Sequence, residues 1–410
     1  MSNLRDFRED FPILNQEVHG RKIIYLDSAA TSQRPQQVLD AVMKYDHEAN
    51  GNPHRGSHAL SMRATEAFES VREKVRSFIG ARSTKEIIFT KNATEAINLV
   101  AYSYALEHLK PGDQIVITIA EHHANLVTWQ QVAKKTGAHL VYMYVDPEGR
   151  LPLGELQKID QKTKLVACTH MSNVLGSIFP VDKVIQRGHE VGAKVLIDGA
   201  QAVAHMPVDV AELDCDFYVF SGHKMFSLTG VGVLYGKEEI LEKMEPFLYG
   251  GDMIEYVYEE ETSFNELPFK FEAGTQGIES VVSLGAAIDY LHEVTFEVIH
   301  EKEMELTEYA LRRLQELPYI RIVGPKDLNL RGAVISFVVE DVHPHDVSMI
   351  LDNYGVGVRA GHHCAQPLLR FMEVYTCSRA SFAFFNTKEE IDALVDNLNE
   401  VRRWMGYGSK

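Results

Sequence analysis

Short apolar runs, separated by polar loops and helical stretches, dominate the middle of the chain. The runs are EIIFT (86–90), QIVITIA (114–120), KLVACTH (164–170), KVLIDG (194–199), FYVFSG (217–222) and GVGVLYG (230–236). They are continuous rather than alternating, which fits strands covered on both faces. A helical stretch such as TEAINLVAYSYALEHL (94–109) follows several of them. The pattern predicts an α/β fold, a large, mostly parallel sheet wrapped by helices.

The last third reads differently. An amphipathic helix over about 296–316 leads into strands IRIVG (320–324) and GAVISFVVE (332–340). A helix near HDVSMILDNYG (345–355), strand-like VGVRAG (356–361) and RASFAFF (379–385), and a closing helix follow. The closing helix begins at Thr387 with Glu390 three residues on, a capping box that satisfies two orphan amides. The expected organisation is an N-terminal segment (1–20) packing with the small domain, a large domain (21–290), and a smaller C-terminal α+β domain (291–410).

At 410 residues and 45% hydrophobic, the chain is long enough for two domains. Its 41 Lys and Arg against 58 Asp and Glu give a formal charge of -17, which repels phosphate backbones and anionic lipids. Nucleic acid and membrane are therefore not expected partners. MSNLRDFREDFPIL lacks the apolar core of a signal peptide, and no run reaches bilayer length. A cytoplasmic protein is expected. Cys168, Cys215, Cys364 and Cys377 form no C-x-x-C pair and read as free thiols in a reducing compartment.

The polar residues that carry chemistry sit just after the apolar runs, where open α/β sheets bind ligands. Lys224 in FSGHKMFSLTGVGVLYG (220–236) follows a buried strand directly. Desolvation there lowers an amine's pKa and keeps it free to attack a carbonyl. TKNATEAINL (90–99) supplies a strand, a small-residue turn and a helix start, a setting for an anion, with Thr94 as a hydroxyl donor. Cys364 lies in VRAGHHCAQP (358–367), among polar, loop-forming neighbours that suit an accessible thiol. Cys168 and Cys215 lie in or beside apolar runs and read as inert. Two histidines precede Cys364, but three adjacent residues do not have the ligand spacing of a zinc site, and no metal is expected.

The S-G-H-K segment resembles the cofactor-lysine motif of the class V aminotransferase group, within the fold-type I pyridoxal-phosphate enzymes. VRAGHHCAQP resembles the Suf-type (group II) cysteine desulfurases. The resemblance covers nearly the whole chain and implies pyridoxal 5'-phosphate carried by Lys224. Asp198 in KVLIDGAQ would keep the ring nitrogen protonated, Gln201 would bond the ring hydroxyl, and His123 in EHHAN would stack on the ring as a catalytic imidazole. Thr94, Ser221 and His223 would hold the phosphate, joined by Thr275 of FEAGTQ from a second subunit, which implies a homodimer. Arg379 in CSRASFAFFN would fork onto the substrate carboxylate, with Arg359 a second candidate, and Asn173 in HMSNVLG would contact ring and substrate. LDSAAT (26–31) and NPHRGSH (52–58) would line the entrance.

The chain departs from the family pattern at two places. Ser227 and Leu228 stand where a Gly-Pro pair is expected, and Gln276 stands where a proline follows Gly-Thr. The implied reaction converts L-cysteine to L-alanine and leaves a persulfide on Cys364, within iron–sulfur cluster assembly. The alternatives are a selenocysteine lyase, an aminotransferase of the same fold, and a non-catalytic cofactor-binding or sulfur-carrier protein. The cysteine loop is short and its reach small. Its persulfide is expected to wait for a dedicated acceptor protein of the SufU or SufE type.

Overall fold

The computed structural model describes residues 6–407. Its largest element is a seven-stranded sheet. In spatial order the strands are Ile87–Thr90, Gly232–Gly236, Phe217–Ser221, Lys194–Asp198, Thr163–Thr169, Gln114–Thr118 and His139–Met143. Gly232–Gly236 runs antiparallel to both of its neighbours; all other pairings are parallel.

Six of these strands coincide with the apolar runs, and the reason is burial on both faces. Ile87 and Phe89 enter one core while Ile88 enters the other. Val195 and Ile197 likewise face away from Leu196, and Tyr218 and Phe220 away from Phe217 and Val219. A strand whose two faces are both dry has no polar phase to show. The seventh strand, His139–Met143, was not among the runs. It is an edge strand and mostly half-buried, so its apolar signal is weak. Helices Gln36–Glu48, Ala59–Phe78 and Ile278–Val294 pack against one another. Ala93–Val100 and Ala124–Thr136 contribute to the core of the other face.

At Thr295, whose φ is 72°, helix Ile278–Val294 turns into helix Phe296–Gln315. A four-stranded antiparallel sheet follows, in the order Ile320–Val323, Val334–Val339, Cys377–Ser381, Arg359–Gly361. Leu306, Leu314, Ile335, Phe337, Leu394 and Leu398 fill its core. The closing helix, Lys388–Trp404, starts with both arms of a capping box. The Thr387 hydroxyl accepts from the Glu390 amide at 3.3 Å, and the Glu390 carboxylate accepts from the Thr387 amide at 3.2 Å.

The RASFAFF run is only partly a strand. Pairing ends at Ser381, and Phe384 and Phe385 leave the sheet to meet Phe7 and Phe11 of the N-terminal segment. That segment touches both halves. Arg8 pairs with Glu390 in a buried ion pair, while Phe11 also packs on Phe226 and Tyr290. The first five residues of the 1–20 segment, and 408–410, lie outside the described residues.

Candidate active site

A cavity of about 260 Å³ opens beyond the strand ends, at the junction of the two sheets. The large sheet supplies its floor. Strand Phe217–Ser221 ends in a single 3-10 turn, Gly222–Lys224, which places Lys224 in the cavity. Gly222 permits that turn: a Cβ there would lie 2.7 Å from Val231 Cγ1. The His223 carbonyl accepts from the Ser32 amide (2.9 Å) and the Thr31 hydroxyl (3.0 Å), tying the turn to the LDSAAT loop. Burial lowers the pKa of the Lys224 amine, and the Arg379 charge adds to this, against an opposing pull from Asp198.

Asp198 ends the neighbouring strand and is buried, its Oδ1 accepting from the Ala200 amide at 3.0 Å. Burial raises its carboxyl pKa, against the Ala200 hydrogen bond and the Lys224 charge. Gln201 donates to the Ala29 carbonyl at 2.8 Å. Ser221 accepts from the Ala93 amide at 2.8 Å, which brings the strand end to the start of helix Ala93–Val100, where Thr94 lines the cavity. His223 also lines it, with its pKa lowered to about 4 by burial first and then by Lys224.

The two adjacent histidines are placed differently. His122, not His123, lines the cavity. Its pKa is lowered to about 3, by burial and then by the Lys224 charge. The pair immediately precedes helix Ala124–Thr136, and the two side chains go different ways: His122 enters the cavity, while His123 Nε2 lies 3.3 Å from the Gln366 amide. Thr275 is exposed and does not line its own chain's cavity; its hydroxyl lies 3.4 Å from Asn52 Oδ1.

The small sheet supplies the roof. Arg379 is 2% exposed and donates to the Asn173 carbonyl at 3.0 Å and to Asp27 Oδ1 at 2.9 Å, leaving Nε buried without a partner among the described residues. Arg359, its cross-strand neighbour, approaches Asp27 Oδ2 at 3.3 Å. Asp27 therefore bridges both candidate carboxylate-binding arginines. Asn173, Arg359, His363, Cys364 and Arg379 all line the cavity. Cys364 is exposed, whereas Cys168, Cys215 and Cys377 are buried. Burial pushes the Cys377 thiol up to about 11.

Two groups escaped the sequence reading. Asp27 lies in a segment assigned only to the entrance. Glu121, beside the two histidines, is fully buried and accepts from the Thr118 hydroxyl (2.6 Å), the Thr169 amide (2.9 Å) and the Asn125 amide group (2.7 Å). It ties two strand ends to the helix that carries His122 and His123. Burial pushes its carboxyl up to about 8. The two departures are accommodated locally. Ser227 Oγ lies 2.7 Å from Ser283 Oγ, which also accepts from the Leu228 amide at 3.1 Å, while Gln276 donates to the Gly274 carbonyl at 3.1 Å.

Residues 24–394 match the family model for aminotransferase class-V. The chain is 50% identical over 406 residues to a probable cysteine desulfurase of Halalkalibacterium halodurans, covering 99% of each chain. It is 47% identical over 409 residues to the cysteine desulfurase of Haloferax volcanii, covering 96% of each. Among solved structures, the cysteine desulfurase of Thermococcus onnurineus aligns with a TM-score of 0.93 at 39% identity, over 98% of this chain and 100% of that one. The cysteine desulfurase CsdA of Escherichia coli aligns at 0.89 and 39%, over 97% and 98%. Family match, full-length identity and fold agree: this chain belongs to the aminotransferase class-V family, and within it to the cysteine desulfurases.

Proposed function

We propose that this protein takes sulfur from L-cysteine, releases L-alanine and leaves a persulfide on Cys364, using pyridoxal 5'-phosphate carried by Lys224. The observation that supports this most is convergence. A desolvated lysine amine, a buried guanidinium and an exposed thiol line one cavity, although they come from separate sheets.

The donor set fits the cofactor. Lys224 would hold it covalently, Asp198 would serve its ring nitrogen and Gln201 its hydroxyl, and His122 would serve the ring face. Thr94, Ser221, His223 and the start of helix Ala93–Val100 suit its phosphate. The partner subunit's Thr275 would complete that cradle. When bound, the cofactor supplies an electron sink for the α-carbon.

The chain's own groups do the rest. Arg379 takes the substrate carboxylate in its fork, steadied by Asp27 and Asn173. The Lys224 amine removes the α-proton. The Cys364 thiolate then attacks the substrate sulfur. The new S–S bond forms as the C–S bond breaks, the carbon side keeps the bonding pair, and protonation there yields alanine. The persulfide is a reversible cap on the thiol, suited to handing sulfur on.

A homodimer is part of this reading. Besides Thr275, the hairpin formed by Ile254–Val257 and Thr262–Phe264 exposes Tyr256 and Val257, with Tyr258 in its turn and Tyr249 nearby, a cluster suited to a partner surface. The proposed sulfur acceptor is a SufU- or SufE-type protein feeding iron–sulfur cluster assembly. The proposed compartment is the cytoplasm; among the described residues no helix is long and apolar enough to cross a membrane.

The test is alanine release from L-cysteine together with mass analysis of the Cys364 peptide. Lys224→Ala should abolish alanine formation. Cys364→Ala should keep the cofactor and form no persulfide. Desulfuration by Cys364→Ala would move the nucleophile elsewhere, with Cys377 next to examine, and keto-acid turnover would favour an aminotransferase. Acceleration by an acceptor beyond that given by a small thiol, lost when the acceptor's receiving cysteine is replaced, supports the dedicated partner.

A further inference from the structure

His363 and Cys364 both adopt left-handed backbone, with φ of 49° and 57°. Two successive side-chain-bearing residues there are disfavoured, and such strain persists only where the surroundings hold it. The holding contacts are specific. Asn173 Nδ2 donates to the His363 carbonyl at 2.7 Å, and the His363 ring donates from Nε2 to the Cys377 carbonyl at 3.0 Å. Both contacts act before the cysteine.

His123 grips at and beyond it. Its backbone amide donates to the Cys364 carbonyl at 2.7 Å, and its ring Nε2 accepts from the Gln366 amide at 3.3 Å. Nε2 must then carry a lone pair, and partial burial together with the neighbouring His362 favours that neutral ring. The His123 backbone is held by the helix it precedes, its carbonyl accepting from the Val127 amide at 2.8 Å. His123 stands at the N-terminus of helix Ala124–Thr136, where Asn125 donates to the buried Glu121 and accepts from Trp129 Nε1 one turn on. Its side chain faces two surface recesses of about 480 and 590 Å³ rather than the cavity with Lys224.

We propose that His123 is a positioning residue for the nucleophile: it clamps the Cys364 loop from outside the cavity and locks it to the sheet that carries Lys224. The proposal rests on the reading that Cys364 is the nucleophile. It assigns His123 to sulfur transfer and removes it from the cofactor.

The experiment compares His123→Ala and His123→Gln with the unaltered holoenzyme; Gln offers an acceptor oxygen in place of Nε2. Three quantities are measured: persulfide formation on Cys364 in a single turnover, exchange of the α-hydrogen of alanine with D₂O, and amide exchange of the 361–368 peptide. The α-hydrogen exchange needs Lys224 and the cofactor but no thiol. His123→Ala should slow persulfide formation roughly 10- to 100-fold, the size of effect that small misplacement of a reacting group produces. It should leave KM for cysteine and α-hydrogen exchange unchanged and speed amide exchange across the loop. His123→Gln should recover most of the rate and the protection. A parallel fall in α-hydrogen exchange would assign His123 to the cofactor and overturn the proposal. Unchanged persulfide formation with unchanged loop exchange in His123→Ala overturns it as well. If the unaltered enzyme makes no alanine from cysteine, the functional reading fails, and the loop-exchange arm still decides whether the clamp exists.

Discussion

Lys224 follows a five-residue strand with no exposed position, Phe217–Ser221, and needs only one 3-10 turn to reach the cavity. Cys364 follows a three-residue edge strand, Arg359–Gly361, and sits on left-handed backbone held by Asn173, His123 and the Cys377 carbonyl. The lysine side hangs from a strand bonded on both edges, with Thr31 and Ser32 bonding the turn. The cysteine side is placed by single tertiary contacts, those of Asn173 and His123 coming from far off in the chain. In the proposed reaction, an electron-handling half and a loop that passes sulfur to an acceptor make these different demands. Changes to the lysine side should therefore appear in stability and cofactor binding, and changes to the cysteine side in sulfur transfer.

The largest effect that would sharpen this contrast falls at the roof. Arg379→Lys keeps the charge but loses the fork, and should raise KM for cysteine about 10- to 100-fold, since a hydrogen bond to a charged group contributes roughly 1.5–3 kcal/mol. Steady-state kinetics with the cofactor retained checks this, and an unchanged KM would transfer the role to Arg359. The next test lies under the lysine turn. Ser283→Ala leaves the buried Ser227 hydroxyl and the Leu228 amide without their partner and should destabilise the fold by about 1–3 kcal/mol in denaturant titration. Adding Ser227→Ala should recover part of that loss. Faster amide exchange at 361–368 in Ser283→Ala would break the comparison, because it would mean that the two sides are not separately held.

Thr387→Ala removes one arm of the capping box in the small half and should lower stability by about 1 kcal/mol, read as a lower Tm with unaltered α-hydrogen exchange. The smallest effect concerns the link between the halves. His205, in the turns after Asp198, lies 2.9 Å from Glu303 on helix Phe296–Gln315. Burial pulls the His205 pKa down, but the Glu303 charge and hydrogen bond outweigh it and raise it above 6.5. A raised folded-state pKa gives stability that is complete below the unfolded value and is lost as pH rises through the folded one. Tm should fall from pH 6.5 upward more steeply in the unaltered protein than in Glu303→Gln. Parallel slopes would mean that this pair does not couple the halves.

The sequence by itself determined what depends on burial and on position relative to a strand end. Six strands of the large sheet were legible because their two faces are both dry. Lys224, Asp198 and Ser221 line the cavity, each at or just past the end of such a run, and Thr387 was legible because its capping box is local. What joins distant residues was not. The RASFAFF run reads as one strand, yet its aromatic end serves the N-terminal segment. Asp27 bridges Arg359 and Arg379 from 332 and 352 positions away, a pairing no local pattern carries. Which of two adjacent histidines faces the cavity is set by the rotation of helix Ala124–Thr136 about its axis, through the packing of Asn125 and Trp129. Only the tertiary structure decided that His122 turns toward Lys224 and His123 toward Cys364, because which of two adjacent identical residues turns inward leaves composition and hydropathy unchanged.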